Sequence, residues 1–367
     1  MTKVRHVIGI SGGKDSSALA IYLNKNFPSL DLEYYFCDTG KELDETYQLL
    51  RNLEVFLGIK IAKLNAANKS HRAPFDHFLE TYGGYLPSST ARWCTKKLKL
   101  EPFEAFVGDA PVISYVGIRG DEDREGYISK KPNIQSIFPF RKNIWSEDVI
   151  RKVVSNNTID VIAAYYKELR LHSKLNRILE VVSQPISLMY SRDQKLKALL
   201  ELGVKEFNQV VFRFIKEFTD YPLSKVESFP LIDNEDVLKR DDIFQILRDS
   251  GVGVPKYYDE KTFEVNGKKG TYFRSRSGCF FCFFQQKIEW VWLYEQHPEK
   301  FKKAMEYEKD GYSWMDNERL EDLIQPERIA QIKADFLERS QKRNPKSSLL
   351  VDILEEVEGE GCAACFI

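Results

Sequence analysis

In Val4-Arg5-His6-Val7-Ile8-Gly9-Ile10-Ser11-Gly12-Gly13-Lys14-Asp15-Ser16-Ser17, a short β-branched run ends on a serine and two glycines. A helical pattern follows at once, with Leu19, Ile21, Tyr22 and Leu23 among its apolar positions. Strand, glycine turn and helix in that order form an anion cradle. Glycines let the backbone turn tightly and aim its N–H groups, and the helix start adds the positive end of a dipole. Lys14 adds a point charge, and Ser11, Ser16 and Ser17 add hydroxyl donors. Asp15 would repel a phosphate, so its place here implies a helix cap or help in holding Mg²⁺. The stretch is not a Walker loop: Ile8 stands where that motif needs glycine, and Asp15 where it needs serine or threonine.

Outward from this turn, strand and helix signals alternate. Leu32 to Cys37 reads as a second buried strand and Leu43 to Leu57 as an amphipathic helix. Ile59 to Leu64 and Val112 to Ile118 read as further strands, which together predict a parallel sheet covered by helices. From about Arg151 to Pro230 strand signals thin out. Runs at Val161 to Val182 and Gln194 to Phe218 look helical, forming a mildly basic insertion. The expected organisation is an α/β domain over 1–150, a helical insertion over 151–230, a C-x-x-C region over 231–320, and a C-terminal helix with a mobile tail over 321–367.

Composition narrows the class without naming it. The chain has 367 residues, 43% hydrophobic and 30% charged, with a formal net charge of −1. That balance gives no whole-molecule case for nucleic acid, although a balanced total can hide a basic face. No apolar run is long enough to span a bilayer, and no signal-peptide pattern opens the chain, so a cytoplasmic protein is expected. Six cysteines fall as Cys37, Cys94, Cys279, Cys282, Cys362 and Cys365. In a reducing compartment two C-x-x-C pairs favour metal, cluster or redox chemistry over structural bridges.

Three further stretches carry chemistry. Phe36-Cys37-Asp38-Thr39-Gly40-Lys41-Glu42 puts a short acid and a glycine at the end of the second strand, where a nucleotide crevice would lie. Arg92-Trp93-Cys94-Thr95-Lys96-Lys97-Leu98-Lys99 sets a cysteine among cations, which lowers a thiol's pKa and could equally steady phosphates. Val116-Gly117-Ile118-Arg119-Gly120-Asp121-Glu122-Asp123-Arg124 ends another strand with two arginines, whose planar forks suit phosphate oxygens.

Taken in order, these stretches resemble the adenine-nucleotide alpha-hydrolase superfamily, with its PP-loop ATP pyrophosphatases and phosphoadenylylsulfate (PAPS) reductases. Ser11-Gly12-Gly13-Lys14-Asp15-Ser16 looks like its pyrophosphate loop, and Pro139-Phe140, Trp145 and Asp148-Val149 resemble the ending of its domain. The resemblance covers Val4 to about Ile150. It implies a doubly wound, Rossmann-like α/β fold, with ATP across the carboxyl ends of the strands and cleavage between α- and β-phosphates. It implies nucleotide contacts at Ser11, Gly12, Gly13, Lys14, Asp15, Ser16, Asp38, Gly40, Arg92, Gly117 and Arg119. Catalytic roles would fall to Lys14, Asp15, Arg119 and Arg124, with Mg²⁺ as cofactor.

The cysteines leave alternatives open. Cys94, Cys279 and Cys282 could hold zinc, or an edge of a four-iron cluster that would need a fourth thiol from Cys37, Cys362 or Cys365. They could equally act as catalytic thiols. Cys362 and Cys365, near the C-terminal end, are candidates to carry a persulfide or a redox disulfide. The chain lacks the adjacent Cys-Cys pair of cluster-bearing reductases. Among family members the layout looks closest to the ATP pyrophosphatases of DNA phosphorothioation, of Dnd or Ssp type. That likeness implies adenylylation of a DNA backbone phosphate with loss of pyrophosphate. Its implied partners are DNA, a cysteine desulfurase as persulfide donor, and other modification subunits. A sulfonucleotide reductase and a tRNA-thiolating enzyme are the alternatives, and a nucleotide-binding subunit without chemistry is a third.

Overall fold

The computed structural model describes residues 3–122, 129, 131–169, 171–309 and 311–343. Arg124, Cys362 and Cys365 lie outside the described residues, as does the expected tail.

Five parallel strands form the central sheet: β1 (Arg5–Gly9), β2 (Leu32–Cys37), β3 (Ala62–Leu64), β4 (Val112–Tyr115) and β5 (Ile134–Ile137). Their spatial order is β3-β2-β1-β4-β5. Every residue of β4 and β5 is buried. That continuous burial is what a parallel sheet covered on both faces requires, and it explains why these strands show little alternation. The order reverses between β1 and β4, so the doubly wound fold expected from the sequence is the one observed. Ligands of such sheets bind beyond the carboxyl ends of the strands at this reversal. The turn after β1 lies there.

Helices separate β1, β2, β3 and β4 along the chain. α1 (Lys14–Asn26) carries Asp15 in its first turn and Lys25 in its last, each matched to the dipole end it faces. α2 (Asp44–Leu57) buries Leu49, Leu50 and Leu53 on one face and ends at Gly58. There φ is 69° and the N–H returns to the Glu54 carbonyl, a left-handed stop that glycine accepts without strain. Gly58 also accounts for the short β3: Ile59 and Lys60 are exposed and the strand begins only at Ala62. After α3 (Pro74–Thr81), a helical turn α4 (Trp93–Thr95) runs into a π-helical segment, Lys96–Leu100, and then α5 (Glu101–Val107).

The chain divides into two compact units. The first comprises residues 1–9, 18–34 and 107–246. It holds α6 (Glu147–Val153), α7 (Ile159–Glu168), α8 (Leu175–Ser183), α9 (Arg192–Leu202) and α10 (Val204–Phe218). The two long runs expected to be helical are each broken in two. Gly203, at φ 169° and ψ 112°, takes the backbone out of the helix between α9 and α10. Buried polar contacts fix this unit internally: Trp145 Nε1 donates to Asn208 Oδ1 at 2.8 Å, and Lys195 Nζ donates to the carbonyls of Val182 and Gln184. α11 (Arg240–Asp249) runs across the boundary between the two units' segments.

The second unit comprises residues 10–17, 35–106 and 247–367. It includes an antiparallel hairpin of β6 (Lys261–Val265) and β7 (Lys268–Tyr272). Asn266 and Gly267, with φ of 51° and 71°, close the hairpin as a two-residue turn of the kind that follows strand twist. α12 (Lys287–Gln296), α13 (Pro298–Met305), α14 (Leu320–Leu323) and α15 (Pro326–Arg343) complete it. No helix among the described residues is long and apolar enough to cross a membrane.

Candidate nucleotide site and thiol cavity

The turn after β1 is held from several sides within its own unit. Ser11 N–H donates to Ser16 Oγ at 3.1 Å, and the two hydroxyls lie 3.1 Å apart. Gly12 takes φ 76°, and a β-carbon there would stand 2.3 Å from Thr46 Cγ2. Glycine is therefore demanded twice, by conformation and by space. A β-carbon on Gly13 would stand 2.8 Å from Ser277 Oγ. Tyr257 Oη donates to the Gly12 carbonyl at 2.8 Å, and Tyr258 Oη accepts from Lys14 N–H at 3.3 Å.

Lys14 and Asp15 form a buried ion pair at 3.1 Å, with side-chain exposures of 2% and 7%. The Lys14 ammonium also lies 5.3 Å from the centre of the Tyr258 ring. A buried, paired lysine has already lost its conformational freedom, which preorganises it for phosphate. Asp15 fits a share in Mg²⁺ binding, because that ion takes one or two carboxylates and completes its shell with substrate oxygens and water. Among the described residues no group of three or more histidines, cysteines or carboxylates is placed to hold a metal on its own.

The stretch after β2 adds a buried acid. Glu42 accepts from Thr39 Oγ1 at 2.6 Å and from Tyr47 Oη at 3.0 Å. Burial raises its pKa above the usual carboxylate range. Asp38 accepts from Gly40 N–H at 2.8 Å and lies 2.9 Å from Tyr47 Oη, so the two acids share that hydroxyl's single proton. Gly40, at φ 72°, would bring a β-carbon within 2.9 Å of Ala73 Cβ.

Cys94, Cys279 and Cys282 line one cavity of about 50 Å³. Thr39, Lys99 and Ser277 share its wall. The Cys279 thiol lies 3.2 Å from Thr39 Oγ1, and its pKa is pushed well up by burial, then by the negative charge of Glu42. As it stands this thiol keeps its proton. The donor set suits a thiolate-loving metal, but the arrangement is one that such a metal would have to draw together. Cys37 points elsewhere: its thiol donates to the Lys99 carbonyl at 3.7 Å, and burial raises its pKa to about 12. Arg92 is exposed, with its guanidinium 4.8 Å from the Phe284 ring centre and Nε donating to the Ser89 carbonyl.

Ser11 through Ser16, Asp38, Gly40, Arg92, Cys94, Cys279 and Cys282 thus fall in one unit. Gly117 and Arg119 belong to the other, where Arg119 is fully buried and pairs with Asp121 and Glu122, each at 2.9 Å. Sequence reasoning passed over Tyr257, Tyr258 and Ser277. They contact the loop from more than two hundred positions away, and no local pattern marks them.

A parallel, doubly wound sheet whose first strand runs into a serine–glycine turn and a buried lysine defines a nucleotide-binding α/β enzyme domain. The chain belongs to the phosphoadenosine phosphosulfate reductase domain family, whose model matches residues 5–283. The family consists of enzymes acting on nucleotides of the ATP or PAPS type. Individual relatives are distant. An uncharacterized protein of Methanocaldococcus jannaschii is 33% identical over 38% of this chain and 30% of its own length. An uncharacterized nin region protein of Escherichia phage lambda is 26% identical over 35% of this chain and 52% of its own. The tRNA-specific 2-thiouridylase MnmA of Actinobacillus succinogenes is 24% identical over 37% of this chain and 42% of its own. The chain therefore spans at most about half the length of these curated relatives.

Proposed function

We propose that this chain is an ATP pyrophosphatase that adenylylates a nucleic-acid acceptor, a DNA backbone phosphate first among them, to prepare it for sulfur. The supporting observation is Ser277, which lies against Gly13 of the phosphate turn and also lines the cavity of Cys94, Cys279 and Cys282. Nucleotide activation and sulfur handling would then share a wall. In this reading an acceptor oxygen attacks the α-phosphorus of ATP, the bond to the bridging oxygen breaks, and pyrophosphate leaves with its electron pair. Lys14 and the turn's N–H groups offset the charge that develops on the leaving group. Arg119 and Arg124 would assist from the strand end that bears them. The terminal sulfur of a persulfide, delivered by a cysteine desulfurase or carried on Cys362 or Cys365, then attacks the acceptor phosphorus and AMP leaves with the bridging oxygen. A second cysteine thiol attacks the carrier sulfur, so that a disulfide forms, the sulfur–sulfur bond to the acceptor breaks and the phosphorothioate is released. An iron–sulfur cluster or zinc on Cys94, Cys279 and Cys282 would supply a site for sulfur or hold the segment in shape.

The family match favours a second reading, a sulfonucleotide reductase in which a cysteine attacks sulfate sulfur. The protonated state of Cys279 weighs against that thiol as the nucleophile. Likeness to a thiouridylase keeps tRNA open as the acceptor. Incubation of the purified protein with ATP, Mg²⁺ and acceptor, with AMP and pyrophosphate measured, separates these readings. Release of both products supports activation. Absence of ATP turnover together with sulfite release from PAPS or adenylylsulfate would replace it with the reductase.

A further inference from the structure

Tyr82, Tyr85 and Tyr312 are exposed to 39%, 38% and 37%, in the unit that carries the phosphate turn and the thiol cavity. The first two are brought together by Gly83-Gly84, just beyond α3. These glycines take φ of 64° and 84°, the positive pair that a type I′ turn uses, and Tyr85 N–H closes it on the Tyr82 carbonyl at 3.2 Å. A β-carbon on either glycine would meet nothing within 4 Å, so the turn faces open space. Trp93 holds it from beneath. Its Nε1 donates to the Tyr85 carbonyl at 3.0 Å, and its ring centre lies 5.2 Å from that of Tyr82. Tyr312 meets Tyr85 edge to face at 5.2 Å. Trp93 is also 5.3 Å from Phe75, which lines the thiol cavity together with Pro87 and Cys94. An aromatic surface thus runs from solvent to the wall of the thiol cavity. The most exposed aliphatics, Val55, Leu188 and Met189, lie elsewhere in the chain, so this face offers flat rings.

We propose that this face takes an unpaired stretch of the nucleic-acid acceptor, its bases stacking on Tyr82, Tyr85 and Tyr312. The inference rests on the nucleic-acid side of the function proposed above. Every base has a flat π-face for which tyrosine supplies a stiff partner, whereas in a duplex those faces are already covered. Charge sets the side on which the backbone runs. Arg92 is exposed, with Nε held by the Ser89 carbonyl at 3.0 Å and its guanidinium 4.8 Å from the centre of Phe284, another wall of the thiol cavity. Lys96, exposed one helical turn on, donates its N–H to the Arg92 carbonyl at 3.3 Å. Neither side chain pairs with a carboxylate among the described residues, whereas Arg72 is offset by Glu80 and Lys97 by Glu101. Two uncommitted cations beside three rings make a stacking site with few phosphate contacts. Salt dependence should therefore be shallow, with a slope of roughly 0.7 in log affinity per log salt for each phosphate met. A backbone held by Arg92 would pass beside the cysteines.

The test uses iodouracil-bearing oligonucleotides, as single-stranded DNA, single-stranded RNA and a blunt DNA duplex, all without ATP. Affinity is read by fluorescence anisotropy, and light-induced cross-links are mapped by mass spectrometry. Single strands are expected to bind more tightly than the duplex and to cross-link to Tyr82, Tyr85 or Tyr312. The tighter of DNA and RNA identifies the acceptor class. Tyr82→Leu and Tyr85→Leu should each weaken binding about tenfold, the scale of one lost base stack, while Tyr82→Phe and Tyr85→Phe keep it. Arg92→Gln should flatten the salt dependence by about 0.7. Duplex binding as tight as single-strand binding, leucine serving as well as phenylalanine, or cross-links confined to other residues overturns the proposal. A face built for a protein partner would give those results. The cross-links are read on the unaltered protein, so they stand even if a leucine variant does not fold. Pyrophosphate release with ATP, Mg²⁺ and acceptor is measured separately. Strand binding without turnover sinks the activation reading alone, and turnover without strand binding sinks this surface alone.

Discussion

The hydroxyl of Thr39 stands between an acid and a thiol: 2.6 Å from Glu42 Oε1 and 3.2 Å from the sulfur of Cys279. A hydroxyl has one proton to give. With Glu42 ionised that proton is committed to the carboxylate, so Cys279 must be the donor toward Thr39. The acid thus holds the thiol protonated both through its charge and through the hydroxyl between them. Glu42→Gln should remove the charge, while its amide oxygen can still take the Thr39 proton, and should speed alkylation of Cys279 by iodoacetamide near neutral pH, read by mass spectrometry of the labelled peptide. An unchanged rate would mean that the charge of Glu42 does not govern this thiol.

Glu42 also predicts a pH dependence of stability. Its pKa in the fold lies above the ordinary 4.5, with burial as the leading cause. A carboxyl shifted upward favours the fold fully when protonated, below the unfolded value. That contribution is lost as pH rises from about 4.5 through the raised folded value. Thermal unfolding of Glu42→Gln should therefore decline less across this window than that of the wild type.

Gly13 and Ser277 should prove coupled. Gly13→Ala sets a methyl 2.8 Å from Ser277 Oγ, which costs roughly 1–3 kcal/mol if the neighbours yield only partly. Ser277→Ala removes the closest of those atoms. Denaturant unfolding of the two single variants and the double should show a cost for Gly13→Ala that the second change partly relieves. Strict additivity would place Ser277 away from the turn.

Lys14→Ala should lower the rate of pyrophosphate release at least about a hundredfold, the scale seen when a preorganised group facing developing charge is lost. It should also lower the unfolding temperature, because the cation 3.1 Å from the buried Asp15 carboxylate is gone. Turnover retained at the wild-type rate would remove Lys14 from the site.

Tyr257→Phe tests the distant support of the turn. Its hydroxyl serves the buried Gly12 carbonyl, and withdrawing a partner from such a group costs roughly 1–3 kcal/mol. Loss of stability with a raised KM for ATP is expected, since the turn would lose one of its fixed points.

The N-terminal architecture was legible because its signals are local. Val7 and Ile8 in β1, the glycines at 12 and 13, and the apolar face of α2 follow rules that act within a few residues. β5 went unread because Ile134-Gln135-Ser136-Ile137 mixes polar and apolar residues, and all four are buried by the elements around them. The β6–β7 hairpin did carry a signal, Asn266-Gly267, the turn chemistry that best marks two-residue connections. Its flanking strands, rich in lysine, hid it. Of the candidate site, Ser11 to Ser16 and the three-cysteine grouping could be read in advance. The contacts of Tyr257, Tyr258 and Ser277 could not, because only tertiary structure brings them to the turn.

Between Cys94 and α5 the helix carries the wide π spacing over Lys96–Leu100, with Glu101 N–H reaching back to the Lys96 carbonyl. A π segment holds one residue more than an ordinary helix needs for the same path. Shortening the chain by one residue there would let the hydrogen bonds revert to normal spacing, and the helix itself would survive. The residues on either side would keep their facing, because the spare residue is absorbed within the π turn. The helix thus carries one residue of slack between Cys94 and α5, and a single-codon deletion could take it up while the Cys94 sulfur keeps its aim.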